Sequence, residues 1–136
     1  MSPTLTAELY WLTLTLLMTG LFWVPYLLER ISAQGLLNAL WDPQGTTHTD
    51  TAWAQRMMRA HRNAVENLVI FAPLVLAVQI TGKGTTLTAI ACVVYFGARA
   101  VHYVVYTLAV PVLRVPTFVA GFLAQMTLAL TLIGVV

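Results

Sequence analysis

The sequence predicts an all-α integral membrane protein, a four-transmembrane-helix antiparallel bundle forming one domain over residues 1–136. Three features point there. Of the 136 residues, 59% are hydrophobic and only 9% charged, whereas a soluble globular domain carries roughly 25% charged residues. Uncharged runs long enough to cross roughly 30 Å of hydrocarbon, at about 1.5 Å per helical residue, recur along the chain. The polar residues gather in one long stretch, about 31–51, and in short turns. A formal net charge of +2 on scattered carriers excludes a nucleic-acid footprint. One cysteine, Cys92, excludes a disulfide framework and a zinc ribbon.

Helix 1, about 6–29, contains the uncharged run Leu9 to Leu28. It differs from a secretory signal peptide: no basic residue precedes Glu8 and no small-residue cleavage site follows Leu28. The stretch after Arg30 holds Gln34-Gly35, Asp42-Pro43-Gln44-Gly45 and a Thr-rich run ending at Asp50, and reads as a loop. Asp50 or Thr51 is suited to cap helix 2, about 53–81. Thr81-Gly82-Lys83-Gly84 makes a tight turn into helix 3, about 85–109, and Pro111 and Pro116 bracket a turn into helix 4, about 116–135. The uncharged runs Asn67–Gly82 and Gly84–Ala98 are short, so helices 2 and 3 must continue into charged residues to span. Pro25 and Pro73 should kink their helices. Cys92, among apolar neighbours, should pack rather than react. Trp11, Trp23 and Trp53 lie toward the expected interfaces.

Arg30, Arg56, Arg59 and Arg62 flank the first loop and Arg114 lies in the third, against Lys83 alone in the second. Basic loops stay cytoplasmic, so both termini are expected on the opposite side. Helix periodicity then aligns Arg59, Arg62, Asn63 and Glu66 on helix 2 and Arg99, His102, Tyr103 and Tyr106 on helix 3. Two polar stripes should face each other near the cytoplasmic surface. Arg99 lies roughly 15 Å of helix below the turn at Pro111, and a charge at such depth faces a bundle interior or a wet cavity. A Glu66–Arg99 ion pair that locks two helices is the plain structural reading. Snorkelling to lipid headgroups suits Arg56 and is open to Arg62. The remaining positive charges favour a pocket for a multiply anionic ligand whose single cationic group would meet Glu66.

Arg59-Ala-His-Arg-Asn63-Ala-Val-Glu66 resembles the helix 2 signature R-A-x-x-N-x-x-E of the MAPEG family, membrane-associated proteins in eicosanoid and glutathione metabolism. Arg99-x-x-His102-x-x-x-Tyr106, with Arg114 eight residues on, resembles its helix 3 motif, and Glu29-Arg30 closes helix 1 as in that family. The resemblance covers nearly the whole chain. It implies a homotrimer of a bacterial-type or microsomal glutathione transferase-like member, in a bacterial inner or plasma membrane. Glutathione would bind between subunits near the cytoplasmic face, with no metal. Arg59, Asn63 and Glu66 would hold its carboxylates and ammonium, and His61, Arg62, Arg99, His102, Tyr103 and Tyr106 would line the cleft. Arg30 would reach in from the adjacent subunit and Arg114 would stabilise the thiolate. Arg114 sits one residue off the family spacing, Phe118 stands near a tyrosine of some members, and Asn67 follows Glu66 where one branch has tyrosine. These departures argue against a specialised leukotriene or prostaglandin synthase.

The expected activity is therefore a glutathione-dependent transferase or peroxidase acting on lipophilic electrophiles or lipid hydroperoxides that enter from the membrane. A non-catalytic anion- or lipid-binding protein of the same fold is the second reading. A haem protein using His61 and His102 ranks below it, because neighbouring arginines repel a cation. A small multidrug transporter ranks last, because it needs a carboxylate within helix 1 and Glu29 lies at its end.

Overall fold

A computed structural model describes residues 4–42 and 51–136. The described residues form α1 (Ala7–Leu21), α2 (Val24–Gln34), α3 (Leu36–Leu40), α4 (Ala52–Thr81), α5 (Thr86–Thr107) and α6 (Arg114–Leu132). Four stretches are long and apolar enough to cross a membrane: Ala7–Gln34, Ala52–Thr81, Thr86–Thr107 and Arg114–Leu132.

The first span, expected as one helix over 6–29 kinked at Pro25, is divided there into two helices. Pro25 has no N–H for the Leu21 carbonyl, so α1 stops at Leu21 and α2 restarts at Val24 with Pro25 in its first turn. The break strands the Phe22 carbonyl, which accepts the Tyr103 hydroxyl at 2.8 Å. The Phe22 and Tyr103 rings stack at 3.7 Å. The described first part of the expected loop is helical. α2 continues to Gln34, Gly35 turns at φ 83°, and Leu-Leu-Asn-Ala-Leu forms the short α3. Thr51 is the N-cap of α4 by backbone geometry, but its side chain makes no cap bond. Asp50 and the Pro43-Gln44-Gly45 turn lie outside the described residues.

Charged and polar side chains close several helix ends. α4 runs through Pro73 as one helix to Gly82, whose φ of 66° lets the Lys83 N–H return to the Val78 carbonyl. Lys83 Nζ donates to Leu132 O at 2.6 Å, at the carbonyl end of α6. Thr85 and Thr88 form a reciprocal capping box at the start of α5. The buried Glu8 carboxylate accepts the Thr88 hydroxyl there, an anion at a positive helix end. α5 ends at Thr107, two residues before the expected 109, and α6 begins at Arg114, two before the expected 116. Arg56 Nε donates to Thr107 O at 2.8 Å and so closes the carbonyl end of α5.

α5 packs against α1, α4 and α6. The half of the bundle toward Lys83 is an apolar core of Leu12, Phe71, Val75, Val78, Ala91, Cys92, Tyr95, Ala124 and Leu128. Phe71 and Tyr95 stack within it at 3.7 Å, and Cys92 is fully buried. The half toward Arg114 is built differently and holds a cavity.

Candidate functional site

Arg99 enters the bundle from the buried face of α5 and is only 2% exposed. Its guanidinium lies between the rings of Tyr95 and Phe118, with Cζ 5.6 and 5.5 Å from their centroids. One amino group donates to Asn63 Oδ1 at 3.0 Å, and the other makes a long contact with Phe118 O at 3.5 Å. Nε is buried with no partner among the described residues. Gly121 provides the room: a Cβ there would stand 2.7 Å from Arg99 Nη2. The contact also orients Asn63. Arginine only donates, so Oδ1 faces Arg99 and the Nδ2 donors face elsewhere. Asn67 Nδ2 approaches the same Oδ1 at 3.4 Å and donates to Asn63 O at 2.8 Å.

A cavity of about 210 Å³ opens beside this pair, lined by Asn63, His102, Tyr106, Arg114, Val115 and Phe118. His102 is 4% exposed; its Nδ1 lies 3.2 Å from Thr117 Oγ1, and its Nε2 has no partner among the described residues. Arg114 is the exposed first residue of α6, with Cζ 5.2 Å from the Tyr106 ring centroid. A helix N-terminus carries partial positive charge, so Arg114 and the start of α6 both favour an anion at this rim. A smaller cavity of about 130 Å³ adjoins Tyr106 and Arg114 and reaches Arg56 and Pro111.

The predicted constellation is divided between two places. Asn63, Arg99, His102, Tyr106 and Arg114 come together between α4, α5 and α6. His61 and Arg62 instead turn toward α2 and line a separate cavity of about 310 Å³ with Tyr26, Met58 and Val65. There the Tyr26 hydroxyl and His61 Nδ1 are 2.8 Å apart. Tyr103 uses its hydroxyl on Phe22, and Arg30 is half-buried on α2; neither lines the inner cavity. Arg59 and Glu66 are exposed on α4. Glu66 does not pair with Arg99, whose guanidinium takes Asn63 instead. The two histidines line different cavities and do not form a shared axial pair.

Three residues of the site region escaped the sequence reading: Thr117, Gly121 and Gln125, on one face of α6 at i, i+4 and i+8. Thr117 meets His102, Gly121 makes space for Arg99, and Gln125 Nε2 donates to Asn67 O at 3.0 Å. Their signal is a stripe of small and polar residues along an otherwise apolar helix. Among the described residues, no three His, Cys, Asp or Glu side chains gather to hold a metal.

Comparison with protein families gives one match, to the MAPEG family, over residues 9–134. No curated protein and no solved structure matches the chain.

Proposed function

The chain belongs to the MAPEG family, and from that premise we propose that it is a homotrimeric, glutathione-dependent transferase or peroxidase. The cavity between α4, α5 and α6 supports this reading, because it sets Arg114 and the oriented amide of Asn63 against one small space in an apolar bundle. Glutathione has two carboxylates, one ammonium and a thiol with a reference pKa of about 8.5. The thiol sulfur would sit at the start of α6, with a carboxylate on the Asn63 Nδ2 donors. Lowering the thiol pKa by about two requires about 2.7 kcal/mol in favour of the thiolate. A fixed guanidinium at a helix N-terminus can supply that. A guanidinium has donors and no basic lone pair, so Arg114 acts electrostatically and not as a base.

Arg59 and Glu66 lie on the exposed side of the same α4 face as Asn63. Bare charges part-way along a membrane span are costly, and a neighbouring subunit with glutathione between would cover them. In that arrangement Glu66 takes the ammonium, Arg59 a carboxylate, and the neighbour's copy of Arg30 reaches the same cleft. The membrane is the inner or plasma membrane of a bacterium, with the Arg114 end cytoplasmic and both termini opposite. The second substrate, a lipophilic electrophile or lipid hydroperoxide, enters sideways from the lipid.

Stopped-flow ultraviolet spectra of purified protein mixed with glutathione test the reading. Thiolate absorbance should develop and should be lost in Arg114→Ala. Binding without thiolate in the native protein would instead favour a non-catalytic anion- or lipid-binding member of the fold.

A further inference from the structure

The hydrogen bonds around His102 determine which of its nitrogens carries the proton. Thr117 Oγ1 lies 2.7 Å from Leu113 O and 3.0 Å from Arg114 O. Its single hydroxyl proton is therefore directed to backbone carbonyls, which cannot donate in return. Toward His102, at 3.2 Å, the hydroxyl oxygen can only accept. His102 is thus held as the Nδ1–H tautomer, leaving a lone pair on Nε2. That nitrogen is buried without a partner among the described residues, in a side chain 4% exposed on the wall of the inner cavity.

The polar groups that line or border this cavity are mostly donors. Arg99 and Arg114 only donate, and Asn63 turns its donors away from Arg99. Tyr106 brings a phenol, which offers no basic nitrogen. Among the six lining side chains, His102 alone offers a basic lone pair. The proposed chemistry releases a thiol proton in this space, and an arginine cannot receive it.

Resting on the glutathione reading above, we propose that His102 Nε2 accepts the thiol proton and later returns it, with Thr117 as the residue that positions it. The S–H bond breaks, its electron pair stays on sulfur beside Arg114, and the proton moves to Nε2. The imidazolium and thiolate form together, so no net charge is added beside Arg114 and the neighbouring Arg99. With an activated alkene, the sulfur pair forms the S–C bond and the π pair moves to the neighbouring carbon. That carbanion takes the proton from Nε2, and His102 returns to its starting tautomer.

Thiolate formation by stopped flow, read beside calorimetric binding of S-methylglutathione, tests the assignment because the methylated analogue has no thiol proton to transfer. His102→Gln should slow thiolate formation about a hundredfold, the usual scale of a lost general base, and weaken the analogue far less. Thr117→Val should slow it about tenfold through loss of the tautomer anchor, and Thr117→Ser should restore it. In protein labelled with ¹⁵N-histidine, the His102 resonances, identified by their absence in His102→Gln, should show a protonated Nδ1 and a bare Nε2. A native rate in His102→Gln, or equal losses for glutathione and S-methylglutathione, would overturn the proposal while leaving the glutathione reading intact. If the native protein forms no thiolate, both fall.

Discussion

The inner cavity and the seam between α2 and α4 contain similar parts put to different use. Each has a histidine, a nearby hydroxyl and an arginine. In the seam, Tyr26 and His61 meet each other, Phe22 and His61 pack edge to face, and neither Tyr26 nor His61 leaves a buried polar atom unpaired. In and beside the cavity, His102 Nε2 and Arg99 Nε are buried and unpaired among the described residues. An unsatisfied buried polar group costs roughly 1–3 kcal/mol, so the cavity side stores a cost that a bound ligand can relieve. Residue type does not separate the two cavities; the pairing of their histidines does.

Four substitutions test that contrast. Gly121→Ala should have the largest effect, because the new methyl displaces the Arg99 guanidinium and with it the Asn63 amide. Calorimetry should show a loss of glutathione affinity of tenfold or more, and thermal unfolding a cost of about 1–3 kcal/mol, the usual range for overpacking. Unchanged affinity would show that Arg99 does not organise the cavity. Glu66→Gln should weaken glutathione about tenfold, as expected for a lost charge-assisted bond, and weaken an analogue without the α-amino group much less. Equal losses would remove Glu66 from the ammonium site.

On the seam side the effects should be smaller and confined to stability. Tyr103→Phe keeps the stack on Phe22 but removes the bond to its carbonyl, at a cost of about 1 kcal/mol in thermal unfolding. Tyr26→Phe should cost about 0.5–1 kcal/mol by the same measurement and leave the rate of thiolate formation unchanged. A slower rate in Tyr26→Phe would mean that the two regions work as one site.

Polar residues in an apolar chain are conspicuous, and helical spacing singled out Asn63, Arg99 and His102, whereas the role expected of Arg114 came from the family resemblance. The division of the α4 residues was less conspicuous. Successive helical residues are rotated by about 100°, so His61 and Arg62 can turn to α2 while Asn63 turns to α5. Which direction each takes depends on where the neighbouring helices lie, and that is a tertiary fact. Gly121 and Thr117 were missed for the opposite reason: small residues are ordinary in membrane helices, and only the guanidinium and imidazole beside them give them meaning. Pro25 marked the interruption at Phe22–Trp23 as a kink, but hydropathy continues across it and gave no sign that the helix stops and restarts.

The hollow at Gly121 couples two positions that lie on different helices. A chain that keeps arginine at 99 must move the guanidinium to accept a side chain at 121, whereas a chain with a shorter side chain at 99 could accept a methyl there and fill the space. Divergent descendants of this sequence should therefore change the two positions together or leave both alone, as a single inherited choice.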